Sequence, residues 1–162
     1  MDSVLVRTVL RTYVDPIVSY CSPVWGVGYL GDLARLDKPV RYLTRLALDL
    51  GGLSYDDRRA SLDILPLPDS LRVQDICTLH GVLKRGPDYA SDYGVIINWR
   101  RTELEGVVSV GKGSVRTEVG RRSFLFRSAD YWNDLPPDVR NIVSGGFFRQ
   151  KTIAFYKTKL LR

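Results

Sequence analysis

Histidine and cysteine are nearly missing from this chain: there is one histidine, His80, and there are two cysteines, Cys21 and Cys77, in 162 residues. The thiols stand far apart in the sequence and neither belongs to a Cys-x-x-Cys pair. With a single imidazole, a zinc finger or zinc knuckle is excluded. Long apolar runs are missing too. The N-terminal apolar stretch is broken by Arg7, Arg11 and Asp15, which is not the pattern of a secretory leader. The longest uncharged run, Pro16 to Gly31, holds two prolines and three glycines and is too short to span a bilayer. These absences lead us to expect an intracellular chain (cytoplasmic or nuclear) that is neither secreted nor membrane-embedded, with both cysteines as buried free thiols.

What is present is an ordinary globular balance, 44% apolar and 26% charged, so a packed core is expected rather than disorder. The length suffices for one compact domain or two small lobes. Net charge is +6, and it is unevenly placed. Residues 1–86 carry 11 Lys and Arg against 10 Asp and Glu, whereas residues 87–162 carry 13 against 8. A basic excess of this kind suits a polyanionic partner, and it equally suits a solvated surface. The chain is accordingly divided into a helical domain, 1–86, and a basic C-terminal region, 87–162.

Apolar spacing predicts a mainly α fold. The first helix, about 2–20, follows Asp2-Ser3 and places Val6, Val9, Leu10, Tyr13 and Ile17 on one face, with a kink at Pro16. A second, about 29–50, has the stripe Leu33, Leu36, Val40, Leu43 and Ala47, is bent or broken at Pro39, and is closed by Gly51-Gly52. Ser54 opens a short helix, about 55–63, with Asp56 and Asp57 in its first turn. A fourth, about 69–85, turns Val73, Ile76, Leu79, His80 and Leu83 inward and ends at Gly86-Pro87. The helical period is then lost. Val95-Ile96-Ile97 and Val107-Val108-Ser109-Val110 suggest a β-hairpin within a long connection, with Lys112-Gly113 as the turn. Two C-terminal helices follow, about 121–133 and about 147–161, separated by Pro136-Pro137.

No constellation for catalysis emerges. Tyr55-Asp56-Asp57 resembles the aromatic and paired carboxylates by which polymerases hold magnesium, but its flanks read as a helix start and no third carboxylate precedes it on a credible strand. His80 lies on an apolar helix face and reads as a core histidine. Gly111-Lys112-Gly113-Ser114 lacks the glycine spacing and Gly-Lys-Ser order of a phosphate loop. Neither a catalytic residue, a metal ligand, a cofactor nor a small-molecule substrate is therefore expected. Basic clusters remain: Arg35, Lys38, Arg41 and Arg45 along the second helix, and Lys112, Arg116, Arg121, Arg122 and Arg127 further on. Such side chains contact backbone phosphates, and Trp99 beside Arg100 and Arg101 suits stacking on a strand.

One ordered set of motifs resembles a known family. Tyr13-Val14-Asp15-Pro16-Ile17-Val18-Ser19-Tyr20, closed by Trp25, is similar to the stretch just after the polymerase core of jockey-like non-LTR retrotransposon (LINE) reverse transcriptases. Leu33 to Lys38, Arg41 to Arg45 and Leu53 to Arg58 resemble that family's next segments, as do Leu65-Pro66-Leu67 and Arg72-Val73-Gln74-Asp75-Ile76. Gly120-Arg121-Arg122-Ser123-Phe124 with Arg127, then Trp132-Asn133-Asp134-Leu135-Pro136 with Val139, resembles its closing block, and Phe155 to Leu160 its last helix. The sequence departs from the pattern at Pro39 and at Gly145-Gly146. The resemblance implies a thumb-like helical lobe and a non-catalytic segment of an RNA-directed DNA polymerase whose magnesium-binding carboxylates lie in a palm outside these residues. It further implies that the first basic cluster grips RNA or an RNA–DNA hybrid, that the second extends the groove, and that Trp25 and Trp132 anchor the core. The alternative it leaves open is a structural lobe that packs on the polymerase palm.

Overall fold

The structure, a computed structural model, describes residues 1–25, 30–99, 102–103 and 106–160. It is mainly helical with one small antiparallel sheet. Two compact units are present, one of Met1–Ser22 with Gly28–Ser70 and one of Pro23–Val27 with Leu71–Arg162. The last crossing between them thus falls at Ser70/Leu71, within a helix, rather than at the Gly86-Pro87 punctuation, and Pro23–Val27 belongs to the second unit.

In the first unit, Asp2 caps α1 (Ser3–Val9) by accepting from the Val4 N–H. The helix does not continue regularly into α2 (Asp15–Ser19). Leu10–Val14 forms a π turn, closed by the Asp15 N–H donating to the Leu10 carbonyl. Pro16 has no N–H to donate and its ring crowds the carbonyl one turn back, and the widened turn relieves that conflict. The extra residue rotates the inward face. Val6 and Leu10 are buried and Val14 packs on them, whereas Tyr13 and Ile17, expected inside, are 70% and 76% exposed. A regular 3.6-residue count cannot foresee this shift. Cys21 is also displaced from expectation. It follows the extended Tyr20, takes a left-handed conformation (φ 51°) and is exposed, while Cys77 is half-buried; both are free.

The second predicted helix is two helices, α4 (Leu30–Leu36) and α5 (Lys38–Arg45), after the single turn α3 (Ser22–Trp25). Its expected first residue, 29, lies outside the described residues. The break at Asp37 is the one that Pro39 foretells. The helix ends at Arg45 and not near Leu50. Ala47 turns extended so that its side chain is fully buried, and the Leu48 N–H donates to the Met1 carbonyl at 3.0 Å. A 3-10 turn, Leu48–Leu50, follows. Ser54 caps α6 (Tyr55–Ser61), accepting from the Asp57 N–H at 3.2 Å. Val6, Leu10, Val40, Ala47 and Leu62 form this unit's core, with Leu43, Leu50, Tyr55 and Ile64 packed against it.

Helix α7 (Leu67–Leu83) begins in the first unit and runs on into the second. Val73, Ile76, Leu79 and His80 are buried on it, as their spacing requires. Gly86-Pro87 follows the end of α7, as expected, and also opens the next helix. It starts α8 (Pro87–Asp92), because proline in the first turn lacks only an N–H that would be unpaired there. The hairpin is smaller than expected: β1 (Ile96–Ile97) pairs with β2 (Val110–Gly111) in the register Ile96 to Gly111 and Ile97 to Val110. Lys112-Gly113 therefore follows the hairpin and is not its turn.

Arg121–Asn133 is interrupted as well. Thr117 caps α9 (Glu118–Arg121), and α10 (Phe124–Asn133) starts afresh after Ser123. Gly120 is required in α9, since a Cβ there would stand 2.2 Å from Val115 Cγ1. Pro136-Pro137 opens a further short helix, α11 (Pro137–Arg140), and α12 spans Gly145–Leu160, its first turn holding the unusual glycine pair. The aromatic centre of this unit is Trp132, Phe148 and His80. The imidazole stacks on Phe148 at 3.9 Å with a 4° interplanar angle, and Trp132 lies 5.7 Å from Phe148. Among the described residues no helix is long and apolar enough to cross a membrane.

Candidate nucleic-acid interface

Helix α5 buries Val40 and Thr44 and so turns Lys38, Arg41, Tyr42 and Arg45 to solvent. On α4, Arg35 is 80% exposed, with Asp32 at 3.8 Å. Charge is therefore displayed along successive turns of α4 and α5. Arg41 is less free than its neighbours. Its Nε donates to Asp37 Oδ2 at 3.0 Å, and its guanidinium carbon stands 4.2 Å from the centre of the Tyr55 ring. Arg59 stands 5.0 Å from the same ring and pairs with Asp56. The Tyr55 hydroxyl donates to Asp37 Oδ1 at 2.7 Å, and burial together with that carboxylate pushes its pKa up. Tyr55-Asp56-Asp57 is thus structural throughout, its ring half-buried between two guanidinium groups, its first carboxylate in an ion pair and its second in the helix cap. Tyr42, 65% exposed among these cations, was not singled out from the sequence. Its position between Arg41 and Arg45 was the available signal.

The second cluster is divided by the fold. Lys112, Arg116 and Arg121 are exposed and Arg122 is half-buried. Lys112 pairs with Asp130 and lies 4.6 Å from the Phe126 ring centre; Arg122 Nε donates to Glu118 at 2.9 Å. Arg127 does not belong with them, which corrects its assignment as a surface phosphate contact. Its side chain is 11% exposed and faces Asp75, which is 4% exposed, with Nε to Oδ2 at 2.6 Å and Nη2 to Oδ1 at 3.3 Å. Its remaining donors reach the Arg122 carbonyl at 2.7 Å and the Pro23 carbonyl at 2.9 Å. Burial raises the Asp75 carboxyl, and Arg127 opposes that shift. Two motif residues far apart in sequence are therefore one internal ion pair. Arg140 behaves alike: it is buried, donating to the Leu135 carbonyl at 3.1 Å and the Val108 carbonyl at 3.3 Å. Lys112 to Arg122 lie in the second unit and Arg35 to Arg45 in the first.

The block Trp132 to Pro136 is also structural, residue by residue. Trp132 Nε1 donates to the Val108 carbonyl at 2.8 Å. Asn133 acts as a short false strand on β2, donating to the Val110 carbonyl at 2.7 Å and accepting from its N–H at 3.1 Å. Asp134 pairs with Lys159 at 2.6 Å, Leu135 is buried, and Pro136 precedes α11. Trp25 is half-buried. Trp99 is 59% exposed, while Arg100 and Arg101 beside it lie outside the described residues. His80, held by Nε2–H donation to the Ile142 carbonyl at 2.8 Å, is kept neutral to lower pH than usual, burial being the main cause. Among the described residues no group of three or more His, Cys, Asp or Glu is placed to hold a metal ion.

Compared with known proteins, the chain matches no family model, no curated protein and no solved structure.

Proposed function

We propose that this chain is a non-catalytic nucleic-acid-binding segment, similar to the region that follows the polymerase core in jockey-like LINE reverse transcriptases, and that it holds RNA or an RNA–DNA hybrid inside the cell through backbone phosphates. One observation carries the reading: Arg35, Lys38 and Arg45 stand open to solvent on α4 and α5, with Arg41 fixed beside them by Asp37. Long cationic side chains in such a row meet successive phosphates without reading bases. Lys112, Arg116 and Arg121 supply a second cationic surface in the other unit. The acidic residues that invited a magnesium reading, Asp56 and Asp57, are engaged as an ion pair and a helix cap, so catalysis is assigned to a palm that this segment would serve.

Fluorescence anisotropy with RNA and with an RNA–DNA hybrid tests this. Binding at low salt that weakens linearly with the logarithm of salt concentration is expected, because phosphate contacts release counterions. Lack of binding to either ligand at low salt would overturn the reading. A second reading has its own observation. Tyr13, Ile17 and Tyr20 form an exposed apolar stripe on the outside of the first unit, a face suited to docking on the polymerase palm. Co-expression with the polymerase portion that raises solubility, with no RNA binding by the complex's C-terminal segment, would favour it.

A further inference from the structure

The second unit contains a cavity that the phosphate reading does not use. Its volume is about 160 Å³. Leu79, Val95 and Val110, all buried, form its back, and Leu125 and Phe126 line it further. At its exposed edge stand Lys112, Gly113 and Ser123. The back is apolar and the rim carries one cation, Lys112. Arg116 follows the lining residue Val115, and Arg121 precedes the lining residue Ser123 by two positions; both are exposed. The nearby acids are already engaged, Asp130 by Lys112 and Glu118 by Arg122. Ser123 makes no side-chain cap to its helix.

We propose that this cavity receives one unstacked pyrimidine base of a single-stranded nucleic acid, with Lys112, Arg116 and Arg121 on the flanking phosphates. The inference rests on the nucleic-acid reading above and adds the strandedness and the base class. Size supports it, since apolar cavities of about 150 Å³ accept a single six-membered ring. Charge supports it, since exposed Arg116 and Arg121 lie close in sequence to the lining residues Val115 and Ser123 and would serve the phosphates of a strand seated there. Gly111 and Gly113 lie against Ile96, another lining residue: a Cβ at 111 would stand 3.1 Å from Ile96 Cγ2 and one at 113 would stand 3.5 Å from its Cδ1. A duplex, whose bases are stacked and paired, has nothing to insert.

Anisotropy with short single strands of wild-type protein decides the matter. Oligouridine is expected to bind at least about fivefold more tightly than an abasic strand of the same length, in line with the worth of one held base. That advantage should persist as salt rises, since apolar burial is not screened. Oligoadenosine should gain less than oligouridine. Gly113→Leu, whose Cβ would sit 3.5 Å from Ile96 Cδ1, fills the mouth and should lower oligouridine binding to that of the abasic strand measured with the same variant. Equal binding of oligouridine and abasic strands would overturn the cavity assignment and leave the phosphate reading standing. Loss of all binding would remove both. Oligoadenosine binding as tightly as oligouridine would overturn the pyrimidine assignment. Should Gly113→Leu fail to fold by circular dichroism, the wild-type comparison of base-bearing and abasic strands still decides.

Discussion

The arginines of α4 and α5 in the first unit and Arg127 and Arg140 in the second are placed in opposite ways. In the first, Arg35, Arg41 and Arg45 stand on the outside of α4 and α5, although Arg41 also holds Asp37, whose side chain is 17% exposed. In the second, Arg127 and Arg140 are drawn inward and direct their donors to Asp75 and to backbone carbonyls. The same side chain is thus exposed to solvent in one place and an internal brace in the other. Its helical neighbours decide which. Arg127 sits one residue before Ser128 and Ala129, both fully buried, whereas Arg41 and Arg45 flank the buried Thr44 on a helix whose other side is open. Counting basic residues in a sequence therefore overstates the surface charge available to a polyanion, here by at least these two.

The largest effect expected from testing this contrast is at Arg127. Arg127→Ala strands the buried Asp75 carboxylate and should cost about 3–5 kcal/mol in urea unfolding, while adding Asp75→Leu to Arg127→Met should recover much of it. A destabilisation no larger than that of an ordinary surface mutation would show that the pair is not the brace described. Next is Asn133→Ala, which leaves the Val110 N–H and carbonyl without their side-chain partner and should cost about 1–3 kcal/mol. Retained stability there would mean that water replaces the amide.

The pH dependence of the second unit is a smaller test. His80 is neutral in the fold to a lower pH than in the unfolded chain. The unfolded state then binds more protons below about pH 6.5, the ordinary histidine value. Stability from this group is fully present above that pH and is lost as pH falls through the depressed folded value. Asp75, raised by burial, has the opposite sign: its contribution is present at low pH and is lost as pH rises through its folded value. Melting temperature should decline from pH 7 toward acid more steeply in the wild type than in His80→Gln, and identical slopes would remove the assignment. The smallest stability effect belongs to the first unit. Lys38→Ala with Arg45→Ala should leave stability within about 0.5 kcal/mol of the wild type. The same pair should flatten the salt dependence of RNA binding by roughly 0.7 to 0.9 for each phosphate no longer neutralised. An unchanged salt slope would take α5 out of the interface.

Much of the fold was legible because helices that bury one face must repeat apolar residues at their own period. Val73, Ile76, Leu79 and His80 on α7 were placed inside on that ground alone, and the Ser54 cap and the break near Pro39 followed from local chemistry. What went astray were places where a local rule allows two outcomes. Gly86-Pro87 can end one helix or open the next, and here it does both in succession. The candidate interface was half legible: spacing placed Lys38, Arg41 and Arg45 on one flank, but no pattern marked Arg127 as internal or announced the cavity behind Gly113.

The sequence by itself determined the helical class, the places of the longer helices and the basic character of α5, because periodicity, capping and charge are properties of neighbouring residues. Tertiary structure alone decided the rotation of the N-terminal helix at Leu10–Val14, the burial of Arg127 against Asp75 and the clamp of Asn133 on Val110. Each joins or strains groups that the chain brings together only when it packs, and the free energy of an ion pair or an unpaired amide depends on the water removed around it.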